Sequence, residues 1–95
     1  MHTAVLRVEL HLPLPRSLKD KRSVLRPILD GARHRFGVAA SEVGMQDLWR
    51  SAELGFAAVG STVGHVGEVL DKVERFVWSF PEVEVTSCER IWLEG

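Results

Sequence analysis

Ala4-Val5-Leu6-Arg7-Val8-Glu9-Leu10-His11-Leu12-Pro13 alternates between two kinds of side chain. Ala4, Leu6, Val8, Leu10 and Leu12 share one parity, and Val5, Arg7, Glu9 and His11 share the other. A period of two with one apolar side predicts a half-buried strand, dry on one face and wet on the other. Pro13 and Pro15 end it. A sheet with one wet face needs cover on the opposite face only, so the helices of this chain belong on a single side.

The period then changes. Across residues 18–36, Leu18, Leu25, Ile28, Leu29, Ala32 and Phe36 form a helical stripe. Ser17 is its candidate cap, and Asp20, three residues on, resembles a capping box with Asp in place of Glu or Gln. Pro27 lies opposite the apolar stripe, where a kink bends the helix around the core. Gly37 is a candidate left-handed C-cap. Residues 38–43 and 51–60 read as strands, the second with Ala52, Leu54, Phe56 and Ala58 on one face. Ser61 or Thr62 starts a second helix with Val63, Val66, Leu70, Val73 and Val77 on its stripe, stopped by Pro81. The last strand covers 83–93, with a bulge expected around Ser87 and Cys88. The order is βαββαβ. Right-handed crossovers then give an α+β, ferredoxin-like sandwich: a four-stranded antiparallel sheet of order 4-1-3-2, with both helices on one face. The whole chain, 1–95, reads as one domain.

The net charge of −1 hides a division. Residues 1–50 carry nine Lys/Arg and five Asp/Glu, hence +4; residues 51–95 carry three and eight, hence −5. Such a split suits anion binding by the first half, self-association through opposite patches, or neutralisation within one domain. Cys88 is the only cysteine, so no internal disulfide forms, as expected of a reducing cytoplasm. Arg7, Glu9 and His11 interrupt the first apolar run, which excludes a signal peptide of ordinary form, and no membrane span is expected.

The first helix breaks a local rule. Its start carries Lys19, Lys21 and Arg22, with Arg16 just outside, where the helix dipole prefers carboxylates. Topology places the turn at 44–50, with Trp49, at the same end of the sheet. Arg16, Lys19, Lys21, Arg22 and Trp49 are therefore the candidate anion-binding or RNA-binding residues. Free helix amides and cations would hold phosphate oxygens, and Trp49 would offer a stacking surface. The plainer alternatives are a solvated helix face paired with Asp20, Glu42 or Asp47, and a Trp49 ring that caps the sheet end.

The runs Ser17-Leu18-Lys19-Asp20-Lys21-Arg22-Ser23-Val24-Leu25 and Glu42-Val43-Gly44-Met45-Gln46-Asp47-Leu48-Trp49, followed by Ala52-Glu53-Leu54-Gly55, resemble the YlxP-like family of small bacterial proteins, domain of unknown function 503. The resemblance covers nearly the whole chain. It implies a ferredoxin-like fold, a bacterial cytoplasmic setting and, from the genes that neighbour family members, a link to RNA or to a ribosomal particle. It supplies no catalytic residues.

Other chemistries find less support. The wet sheet face, with Arg7, Glu9, His11, Glu53, Ala57 and Val59, and with Arg90 and Trp92 if the last strand keeps parity, reads as a homodimer surface or solvated sheet. Gly55-Phe56-Ala57 matches part of an RNA-recognition-motif strand, but parity turns Phe56 into the core. His2, His11, His34, His65 and Cys88 lack metal-ligand spacing, and Cys88 reads as a small buried side chain. No cofactor is expected. A phosphate-substrate hydrolase rests on Arg16 alone, because the loop Pro13-Leu14-Pro15-Arg16 lacks the glycines of an acylphosphatase-type cradle. The chain thus reads as a non-enzymatic binding module, with a homodimeric protein-interaction adaptor as the alternative.

Overall fold

The computed structural model describes residues 1–93. Its elements are β1 (His2–His11), α1 (Leu18–Phe36), β2 (Ala39–Gly44), β3 (Ser51–Gly60), α2 (Val63–Trp78) and β4 (Glu84–Leu93). The sheet runs β2-β3-β1-β4 with every pairing antiparallel, which is the expected order read from the other edge.

The alternation in β1 sets the layers. Ala4, Leu6, Val8, Leu10 and Leu12 are buried, as are Ala52, Leu54, Phe56 and Ala58 of the neighbouring β3. Leu25, Ile28 and Ala32 of α1 and Val66, Leu70, Val73 and Val77 of α2 close the core from one side. Phe56 lies fully within it. The helices approach closely where Gly31 faces Phe76, since a Cβ at Gly31 would collide with the ring. Phe76 in turn meets Phe36 and Phe80 edge-on, with centroids 5.6 and 5.0 Å apart.

Both helices start and stop where their residues dictate. The Ser17 hydroxyl accepts from the Asp20 amide, and the Thr62 hydroxyl accepts from the His65 amide. Gly37 ends α1 in the left-handed region, at φ 66°, and its N–H donates to the Arg33 carbonyl. The capping box closes one residue further back than expected: Asp20 accepts from the amide of Arg16, outside the helix, at 3.1 Å.

The β4 bulge falls earlier than expected. Pairing with β1 slips between Glu9 and Leu10, which leaves Thr86 as the extra residue, its hydroxyl donating to the Glu9 carbonyl. One extra residue reverses the parity of everything after it. Glu89 and Ile91 therefore join Arg7 and Val5 on the open face. Arg90 and Trp92, which would join that face only with parity kept, stand opposite Leu6 and Ala4 on the helix side, where Arg90 pairs with Asp71 and Glu74 of α2 at 3.0 and 3.6 Å. Cys88 also lies on that side, but it is exposed rather than buried, because an edge strand lacks a neighbour to cover it. The described helices include none long and apolar enough to cross a membrane.

Candidate functional site

The start of α1 and the turn after β2 meet as the topology requires. The Leu12 amide donates to the Arg50 carbonyl at 2.9 Å, and the Arg50 guanidinium donates to the Pro15 carbonyl at 3.3 Å. These bonds tie the 45–50 turn to the segment that leads into the helix.

Lys21 is the centre of this junction, and it is not a surface cation. Helical spacing turns it to the apolar side, four residues before Leu25, and leaves it 1% exposed. Its ammonium donates to the Met45 carbonyl at 2.8 Å and lies 2.6 Å from Glu42 Oε2. That oxygen is buried and accepts no well-directed hydrogen bond, so the Lys21 charge is its compensation. Lys21 is thus withdrawn from the candidate anion-binding set. Its charge is spent inside the protein, where it fixes the strand-to-turn exit. Met45 is held there at φ 59°, a conformation that non-glycine residues seldom adopt.

One helix amide is already taken: the Ser17 hydroxyl accepts from the Asp20 amide, while the Asp20 carboxylate accepts from the Arg16 amide just outside the helix. What remains lies along the flank of α1. Among the described residues, Arg16, Lys19, Arg22 and Arg26 are exposed and their side chains enter no ion pair. Arg33 continues the row, held by Asp30 at 2.8 Å and donating to the Ala40 carbonyl. Arg22, Arg26 and Arg33 rim a groove of about 250 Å³ between α1 and β2, with Leu25 and Leu29 also lining it and Asp30 and Glu42 as its acids. Arg26 and Arg33 lie outside the corner expected from the sequence; helical spacing from Lys19 and Arg22 is the signal that places them on the same flank.

Trp49 does not cap the sheet end. It is 51% exposed at the same end of the molecule as the row of cations. Its neighbours Leu48 and Met45 are exposed too. The structure therefore brings Arg16, Lys19, Arg22 and Trp49 to one accessible region, and moves Lys21 beneath it.

The open sheet face has its own polar centre. Arg7 donates to Glu53 and, at 2.6 Å, to Glu9. The hydrogen bond to Glu53 is the main reason the Arg7 guanidinium holds its proton more firmly than usual. Cys88 is shifted the other way in chemical effect: partial burial, then the nearby Glu74 carboxylate, raises its thiol pKa and disfavours the nucleophilic thiolate. No cluster of His, Cys, Asp or Glu arranged for a metal occurs among the described residues.

Comparison with known proteins places this geometry in context. The model of a family described as a protein of unknown function, DUF503, matches residues 3–90. An uncharacterized protein of Bacillus subtilis (strain 168), YlxP, is 42% identical over 76 residues, covering 80% of this chain and 83% of the relative. The solution structure of a de novo designed protein with a ferredoxin fold, LFR1 1, superposes with a TM-score of 0.56 at 10% identity, covering 100% of this chain and 88% of the design. That last likeness concerns the fold alone.

Proposed function

We propose, from the premise that this chain belongs to the DUF503 family of proteins of unknown function, that it is a binding module whose α1 flank contacts RNA phosphates. The supporting observation is the row Arg16, Lys19, Arg22 and Arg26, exposed and free of ion pairs, in a protein whose acids lie mostly elsewhere. Unpaired guanidinium groups suit phosphate oxygens because their planar donors match them two at a time. Trp49 supplies an exposed aromatic ring at one end of the row, suited to stacking on an unpaired base. The gene neighbourhood implied by the family resemblance makes a ribosomal particle or its precursor the natural source of that RNA.

The test is titration of a single-stranded RNA oligonucleotide at several salt concentrations. Affinity falls as salt rises, and replacing Lys19, Arg22 and Arg26 together by Ala flattens the logarithmic slope by about 2, near 0.7 per lost phosphate contact. Equal affinity and equal slope for parent and triple variant would overturn the reading. Lys21→Ala is not a suitable probe, because it disrupts the fold at Glu42.

A second reading, a homodimer joined through the open sheet face, is favoured by one specific feature. Ala39, Ala57, Val5 and Ile91 line up in register across all four strands, flanked by exposed Val59 and Leu93. Sedimentation of the parent and of Val5→Glu distinguishes the cases: a dimer lost in the variant supports this reading, and a monomer at micromolar concentration removes it.

A further inference from the structure

The two edges of the sheet are treated differently. β2 is short, and its backbone is already engaged: Arg33 donates to the Ala40 carbonyl, while Gln46 and Ser41 donate to the Glu42 carbonyl at 3.3 and 3.2 Å. Side chains that occupy edge carbonyls block the addition of another strand. β4 is ten residues long. Beyond the Thr86 bulge, Ser87 to Leu93 pair with β1 without interruption. Among the described residues, no side chain bonds to a β4 backbone group. Ile91, Trp92 and Leu93 are exposed along it. An edge strand with this length of unoccupied backbone is a template for strand addition.

The chemistry beside this edge selects the occupant. α2 carries Glu68, Asp71 and Glu74, and Glu84 and Glu89 lie on β4 itself, five acids against the three cations Lys72, Arg75 and Arg90. Asp71, Glu74, Arg75, Trp78 and Ser79 line a groove of about 570 Å³, and Trp78 is 60% exposed. Arg90 is shared between Asp71 and Glu74, so two carboxylates compete for one guanidinium. A second copy is a poor fit. Two β4 strands paired about a two-fold axis would bring two acidic α2 flanks together, and β4 against β2 of another copy meets carbonyls already occupied. RNA is repelled by the same acids.

We propose that the β4 edge binds an extended basic peptide, which adds as a fifth strand against Ser87–Leu93. Strand geometry then sets its pattern. Lys or Arg at alternate positions face the helix side, towards Asp71, Glu74 and the Trp92 ring, which attracts cations through its π face. The intervening apolar residues lie on the open side, beside Ile91 and Leu93. This assignment uses neither the α1 cations nor the proposed RNA contact.

The experiment uses the full chain and short synthetic peptides of alternating Arg–Val and Glu–Val, with a proline-interrupted Arg–Val control. Binding is read by fluorescence anisotropy, and amide hydrogen exchange locates it. The Arg–Val peptide binds and slows exchange within Ser87–Leu93, while the other two do not bind. Asp71→Asn with Glu74→Gln weakens it about tenfold, as expected for the loss of two partly exposed charge pairs. The Lys19/Arg22/Arg26 triple-alanine variant binds the peptide normally, so failure of the RNA reading leaves this result intact. Equal binding of Arg–Val and Glu–Val peptides, protection at β2 instead of β4, or concentration-dependent protection of β4 without peptide would each overturn the assignment. Because the exchange experiment needs only the parent protein, it remains decisive if the double variant folds poorly.

Discussion

Lys21 shows how one residue can carry opposite meanings in sequence and in structure. Its charge made it a ligand candidate, but the folded protein buries it, because Glu42 and the Met45 carbonyl are there to meet it. Lys21→Met leaves the Glu42 carboxylate largely buried without its cation, and unfolding in urea should show a loss of about 3 kcal/mol, the lower end for a broken buried pair because Glu42 keeps 20% of its side chain exposed. Adding Glu42→Leu to that variant should recover much of the loss; no recovery would mean that the pair acts through Met45 rather than through charge. Met45 sits in the left-handed region at φ 59°. Asn tolerates that region better, so Met45→Asn should raise stability by about 1 kcal/mol. A lower melting temperature would contradict this. Cys88 yields a pH prediction. Its thiol pKa is raised in the folded state, first by burial and then by Glu74. The neutral thiol is therefore the form that folding favours; this contribution is complete below the unfolded thiol pKa and is lost as pH rises through the folded one. Alkylation at pH 8 should be slower for native protein than for protein in urea, and Glu74→Gln should narrow the gap.

At the scale of elements, α1 does three jobs on three faces. Leu25, Ile28 and Ala32 enter the core, Lys19, Arg22 and Arg26 face solvent, and Arg33 reaches sideways to close the β2 edge at Ala40. Arg33→Ala should cost about 1 kcal/mol, the usual worth of such a hydrogen bond. It should also speed amide exchange in β2 and promote aggregation on heating; unchanged exchange would show that Arg33 does not guard the edge. β4 shows the opposite arrangement, with a bulge at one end and an unguarded stretch after it. The bulge decides the side taken by Arg90 and Trp92, which would have joined the open face only with parity kept. A strand pattern assumes one residue per step; the sequence signals an extra step near Ser87 and Cys88, but only the pairing places it at Thr86.

Across the whole molecule, charge is sorted in space as it is along the chain. α1 carries six Lys/Arg against two acids, and α2 with β4 carries five acids against three Lys/Arg. A net charge of −1 therefore describes neither side. The parent protein should be retained on a cation exchanger at pH 7 and low salt, and the Lys19/Arg22/Arg26 triple-alanine variant should pass through. Co-elution of the two would show that the row is too diffuse to act as a patch.

Alternating β1, the two helical stripes, Ser17, Gly37 and the prolines were sufficient to determine strand order, helix side and most of the core. These features act over a few residues, through backbone geometry and apolar burial, so they are legible in a linear chain. The fates of Lys21, Trp49 and Cys88, and the parity of residues 87–93, were decided only by tertiary structure. Each depends on which distant group arrives beside it: Glu42 and Met45 meet Lys21, no element covers Trp49, and Cys88 stands on the outermost strand. Charge energy is set by distance through space and by exclusion of water, and neither quantity exists until the chain has folded.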